Sequence, residues 1–205
     1  RRPGPPFARR GIGQIRMSSE VIITDEKLTQ VRIAGYGGQG IVLAGMLLGK
    51  AASLYDNKEA VFTQSYGPEA RGGASCADVI LSHEPISYPF VTEPDILVVL
   101  FQEAYRRFRK LLKPAGTLII ESDLVRPNEE DVGCAGLPAT RMAEEVGRRI
   151  VMNVIVLGYL VGRTGIVSRQ AAEKAIETTV RPKTVGLNLK AFACGFDRAQ
   201  QELNS

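Results

Sequence analysis

The sequence predicts an α/β fold: a doubly wound, Rossmann-like and mostly parallel sheet followed by a helical C-terminal third. Three observations carry this expectation. A short apolar strand runs into a glycine-rich turn, Gly35-Tyr36-Gly37-Gly38-Gln39-Gly40, and on into residues with helical spacing. The near-continuous apolar run DILVVLF at 95–101 marks a strand buried on both faces of a parallel sheet. Strand-like and helix-like segments alternate, and the last part of the chain reads mainly as helix.

The elements follow in order. Residues 31–34 (VRIA) form the strand that enters the turn. Residues 39–52 place Ile41, Ala44, Leu47, Leu48 and Ala51 on one helical face, and the cluster Tyr55-Asp56-Asn57 ends that helix. Residues 59–63 (EAVFT) read as the second strand, which leads into the polar, glycine-rich stretch Ser65-Tyr66-Gly67-Pro68-Glu69-Ala70-Arg71-Gly72-Gly73. Residues 75–82 (SCADVILS) make a third strand, closed by a turn at His83-Glu84-Pro85. After the buried strand 95–101, a helix over 103–112 is stopped by Pro114 and Gly116, and 117–121 (TLIIE) is the next strand. Helices are expected over 141–148, 153–161, 169–178 and 187–201.

The chain has 205 residues, enough for one domain with an appendage, and 44% hydrophobic residues can build a sizeable core. The net charge of +4 sits in the first sixteen residues, where Arg1, Arg2, Arg9, Arg10 and Arg16 meet no acid. Residues 17–205 are therefore about neutral, and a nucleic-acid face is not expected on charge. Residues 1–16 are rich in Pro, Gly and Arg without periodicity and read as a disordered basic tail. An upstream non-native extension, a targeting segment and a nucleic-acid arm all stay open for them. Residues 17–205 read as one domain. Cys76, Cys134 and Cys194 are scattered and include no CxxC pair, which excludes local zinc or iron–sulfur ligation and fits a reducing, cytoplasmic setting. The apolar run near 150–161 is too short to span a bilayer.

The turn has the G-x-G-x-x-G spacing of a dinucleotide site, with a strand before it and a helix after it. Gly37 and Gly38 let backbone N–H groups approach a ligand, and the helix start adds partial positive charge. A bound NAD or FAD also needs an acid at the tip of the second strand, where Phe62-Thr63-Gln64-Ser65 stands instead. A structural tight turn, another phosphate-bearing ligand and a partner's backbone remain as readings. The stretch 65–73 is expected at the same sheet edge. Arg71 there can grip a phosphate or carboxylate, or pair with Glu69 or a partner subunit. No catalytic constellation or metal cluster is readable. His83 reads as a solvated turn residue, Asp95 and Glu121 as capping groups, and Asn153 as a buried polar anchor.

GYGGQG followed by SYGPEARGG, then Asn153-x4-Gly158 and Asn188-x2-Ala191-Phe192-x2-Gly195, resembles the gamma subunit of 2-oxoacid:ferredoxin (acceptor) oxidoreductases. The resemblance covers 31–201. Ala70 stands where a larger apolar residue is common in the motif. The resemblance implies an enzyme in which thiamine diphosphate, with its magnesium, attacks a 2-oxoacid and releases carbon dioxide. Electrons then pass through iron–sulfur clusters to ferredoxin, and coenzyme A takes the acyl group. It implies that those cofactors sit in alpha- and beta-type subunits, with or without a delta-type chain. This chain would then have no turnover alone and would serve coenzyme A binding, active-site closure and assembly. Gly35, Gly37, Gly38, Gln39, Gly40, Ser65, Tyr66, Gly67, Arg71, Gly72 and Gly73 are the candidate coenzyme A or interface residues, and 2-oxoglutarate is the best-matched substrate. The alternatives are a stand-alone Rossmann nucleotide-binding oxidoreductase and a purely structural interaction subunit.

Overall fold

The computed structural model describes residues 28–65 and 74–205. The expected basic tail therefore lies outside the described residues.

Six strands form one sheet: β1 (Leu28–Tyr36), β2 (Glu59–Ser65), β3 (Ala74–Ser82), β4 (Ile96–Val99), β5 (Thr117–Glu121) and β6 (Ala135–Leu137). Their order across the sheet is β2-β3-β1-β4-β5-β6. β1, β4, β5 and β6 pair in parallel, whereas β3 runs antiparallel to both of its neighbours. All strands except β3 thus point the same way, and the sheet is mixed through one reversed strand. The sequence pattern gave β3 no distinguishing mark, because all nine of its residues are buried and it reads like a parallel strand. β6 has three residues, one of them Gly136, and is too short to show a period.

The helices are α1 (Ile41–Tyr55), α2 (Gln102–Phe108), α3 (Ala139–Val146), α4 (Met152–Thr164), α5 (Arg169–Glu177) and α6 (Val185–Leu203). The expected helix over 103–112 is α2 plus a separate 3₁₀ turn, Arg109–Leu111. Strand alternation divides the core in two. Val31, Ile33, Val79, Val98 and Ile119 face α1, α4, α5 and α6. Ala34, Cys76, Leu97, Val99 and Ile120 face α2. The helical C-terminal third therefore packs on one face of the sheet, beside α1.

α4 and α6 meet backbone to backbone. A Cβ added to Gly158 would land on the Phe192 carbonyl, and one on Gly195 would land on the Ile155 carbonyl. At Gly162 it would stand 2.8 Å from the Phe196 carbonyl oxygen. Small residues here let the two helices approach more closely than side chains would allow. Gly158 and Gly195, which close the sequence segments 153–158 and 188–195, are explained by this contact.

On the α2 face, Arg32 of β1 makes a bidentate pair with Asp78 of β3, at 2.7 and 2.6 Å. Both residues are buried, at 7% and 8% exposure. The same guanidinium donates to the Val91 carbonyl at 2.9 Å and lies 5.0 Å from the Phe108 ring centre. α2 is also tied to the following loop. Asp131 accepts from Arg109 Nε and Nη2 and from Tyr105 Oη, and Tyr105 Oη in turn accepts the Asn128 N–H. The hydrogen bonds from Arg109 hold the Asp131 carboxyl below the usual carboxylate range.

Candidate functional site

The strand-to-helix turn lies where β1 ends, at the edge of the sheet formed by the C-terminal ends of β1 and β4. The residues that leave β1 cannot continue in the ladder, because Gly38 (φ +97°) and Gly40 (φ +73°) take left-handed conformations. Gly40 is also the N-cap of α1. It offers no side-chain cap, and no acid occupies the first turn of the helix. Among the described residues, the first N–H groups of α1 therefore have no side-chain acceptor at that cap, the arrangement that favours an anion.

Gln39 and Gly35 act inward. The Gln39 Oε1 accepts the Tyr36 N–H at 2.7 Å, and its Nε2 donates to the Leu100 carbonyl at 2.9 Å. A Cβ on Gly35 would stand 2.5 Å from that Oε1, so glycine there makes room for the glutamine. Gly37 and Gly38 are exposed, and a Cβ on either would meet nothing within 4 Å among the described residues. Tyr36 is 45% exposed, with its ring 5.7 Å from that of Phe101 at the start of α2. The predicted set therefore splits: Gly35 and Gln39 hold the turn, and Gly37 and Gly38 present it.

Ser65 ends β2 opposite Cys76, and Ala74 lies opposite Tyr36. β2 thus ends and β3 begins on the edge that carries the turn. Tyr66, Gly67, Arg71, Gly72 and Gly73 lie outside the described residues. Burial pushes the Cys76 thiol up, with Asp78 adding to the effect, so it is held as a thiol rather than a nucleophilic thiolate.

The isolated polar residues have structural partners. Glu121 is 1% exposed and accepts from the N–H groups of Asp123, Leu124 and Thr140. Asp95 accepts the Gln30 N–H and pairs with Lys113 at 2.6 Å. His83 is exposed after the end of β3, at the opposite end of the sheet from the turn. Asn153 has a partner that the sequence did not reveal: its Nδ2 donates to the Gly40 carbonyl at 3.1 Å. A lone Asn in an otherwise apolar helix is the signal that marked it as an anchor. Only the fold shows that it anchors the turn. Among the described residues, no group of three or more His, Cys, Asp or Glu could hold a metal ion. The three cysteines stand on β3, before β6 and on α6. Set on three separate elements, these cysteines do not form a cluster site.

The family model described as pyruvate ferredoxin/flavodoxin oxidoreductase matches residues 30–198. The chain belongs to that family. Within it, the chain is 49% identical over 176 residues to the 2-oxoglutarate synthase subunit KorC of Methanocaldococcus jannaschii, a match that covers 84% of this chain and 94% of the relative. The gamma subunit of a keto/oxoacid ferredoxin oxidoreductase from Geobacter sulfurreducens shares its structure, with a TM-score of 0.76 at 42% identity, over 85% of this chain and 97% of the other. A 2-oxoglutarate:ferredoxin oxidoreductase from Magnetococcus marinus, whose structure holds 2-oxoglutarate, coenzyme A and succinyl-CoA, has the same fold at 22% identity. Its TM-score is 0.76, with 86% of this chain matched to 32% of that one. The family match and the Geobacter likeness make this chain a gamma-type subunit of an oxoacid oxidoreductase, as the paired glycine motifs implied. Among the described residues, no helix is long and apolar enough to cross a membrane.

Proposed function

We propose that this subunit supplies part of the coenzyme A site of a cytoplasmic 2-oxoglutarate:ferredoxin oxidoreductase. In the reaction so assigned, a 2-oxoacid and coenzyme A give the acyl-CoA, carbon dioxide and a proton, and two electrons leave singly to ferredoxin. Thiamine diphosphate with magnesium and the iron–sulfur clusters would be held by alpha- and beta-type subunits, with or without a delta-type chain. Those groups supply the carbanion chemistry and the electron path. This chain's own part is to bind and orient the acyl acceptor and to complete the assembly through residues 17–205.

The observation that carries the reading is the open face of the turn. Gly37 and Gly38 stand clear of every described side chain, beside the uncapped start of α1. Coenzyme A brings a pyrophosphate and a 3′-phosphate, and backbone N–H groups at a helix start suit such groups. Arg71, Gly72 and Gly73, with Ser65, Tyr66 and Gly67, would complete the receptor from the neighbouring strand end. The KorC relative supports 2-oxoglutarate as the substrate. The ligands of the Magnetococcus marinus enzyme are those of the proposed reaction.

The test is a steric one. In the assembled enzyme, Gly37→Leu fills space that no described residue of this chain occupies. The coenzyme A KM should rise about tenfold or more, with the KM for 2-oxoglutarate unchanged. Arg71→Ala should move the same constant in the same direction. If neither variant changes the coenzyme A KM but either weakens assembly, the turn is a subunit contact and the reading fails.

A further inference from the structure

We propose that Asn153 and Gln39 are positioning residues for the acyl acceptor, two side-chain amides that clamp the glycine turn from opposite flanks so that Gly37 and Gly38 are already aimed when the ligand arrives. This rests on the coenzyme A reading above. One amide belongs to the turn. Gln39 accepts from the backbone where β1 ends and donates to the backbone where β4 ends, so the turn is fixed to both strands. The other comes from a distant part of the chain. Asn153 stands at the start of α4 and reaches the carbonyl of Gly40, the residue that opens α1. That carbonyl also accepts the Ala44 N–H at 3.1 Å. Asn153 therefore bonds to the group that sets the direction of the first turn of α1.

The surroundings of Asn153 make the bond specific. The residue is 3% exposed, and every residue of α4 from Met152 to Gly162 is buried. An amide in such a place is destabilising unless it is bonded, and an apolar side chain of the same size would pack there without that requirement. The Asn153 amide also crowds Gly40: a Cβ on Gly40 would stand 2.7 Å from Nδ2. The position of Gly40 is thus fixed by contact as well as by a hydrogen bond. Between the two clamped flanks only Tyr36, Gly37 and Gly38 are exposed. A receptor held in its binding shape loses less conformational freedom when the ligand is captured, so the gain appears as affinity rather than as turnover.

The experiment uses the assembled oxidoreductase. Asn153→Leu keeps the volume and removes the donor. Gln39→Glu keeps the acceptor for Tyr36 and removes the donor for Leu100. Each should raise the coenzyme A KM about tenfold, while kcat at saturating coenzyme A and the KM for 2-oxoglutarate stay within about twofold of the parent enzyme. A purely structural role would not produce that split. A rise in both KM values, or a fall in kcat alone, overturns the proposal. So does an unchanged coenzyme A KM in both variants when Gly37→Leu raises it, and in that case the coenzyme A reading itself stands. If Gly37→Leu is also silent, both fall. Gln39→Glu, on the more exposed flank, decides the outcome should Asn153→Leu fail to assemble.

Discussion

Glycine does opposite work in two regions of this molecule. Along α4 and α6 it marks places with no room: a Cβ on Gly158 or Gly195 would strike a carbonyl of the facing helix. At the exposed tip of the turn it marks places with nothing nearby, for a Cβ on Gly37 would meet no described atom within 4 Å. The first kind is explained wholly by this subunit. The second kind has no steric reason among the described residues. Gly38 still needs glycine for its left-handed backbone, so Gly37, with neither cause among the described residues, is the one that points outward, to a ligand or a partner. Asn153 joins the two regions, because the helix packed by glycine at its middle holds the turn at its start.

Substitutions test this contrast directly. Gly158→Ala and Gly195→Ala should have the largest effect, a loss of about 3 kcal/mol or more, because backbone must move to admit the methyl group. Urea unfolding of the purified chain measures this. An unchanged midpoint would break the contrast at its crowded end. Gly40→Ala should cost about 2 kcal/mol, since it combines a left-handed backbone with a contact on Asn153.

Asp131→Asn sharpens the comparison by removing polar bonds in place of space. It should cost about 1–2 kcal/mol at neutral pH. Because the folded chain holds the Asp131 carboxyl below its ordinary range, the folded state binds fewer protons than the unfolded state as pH approaches that range. Its contribution is complete above the ordinary carboxylate pKa and disappears as pH falls through the lowered one. The gap between parent and variant should therefore close in acid, whereas the gaps for Gly158→Ala and Gly195→Ala should not. Unfolding curves at a series of pH values separate the two behaviours. Gly37→Ala should have the smallest effect, within about 0.5 kcal/mol. A larger thermal shift would show that the turn is crowded after all.

Much of the fold was legible because its signals are local. The run at 95–101 and the helical spacing after Gly40 each declare an element without reference to the rest of the chain, and β4 and α1 stand there. The reversal of β3 was not legible, since a strand buried along its whole length gives no sign of its direction. The site was half legible. The glycine spacing located the turn, and the missing acid at the tip of β2 argued against a dinucleotide. The inward role of Gln39 was hidden, because its partner Leu100 is far away in sequence and bonds through its backbone, which carries no residue signature. Asn188 had a similar disguise: it reads like a signature residue, yet its amide donates to the Thr184 carbonyl one turn earlier in α6.

The ion pair between β1 and β3 has a consequence for how the sheet is assembled. Arg32 and Asp78 are directly opposite in the ladder and share a face. Side chains alternate along a strand, so a slip of one residue would carry Asp78 to the other face and leave the guanidinium buried without its carboxylate. An uncompensated buried charge costs about 3–5 kcal/mol, a large part of the stability of a domain. The apolar residues around the pair, Val31, Ile33, Ala77 and Val79, would tolerate such a slip far better than the charges do. The pair therefore acts as a proofreading device for strand registration. It rejects the near-miss alignments that greasy strands would accept, and in doing so it places Tyr36 at the end of β1 level with Ala74 at the start of β3.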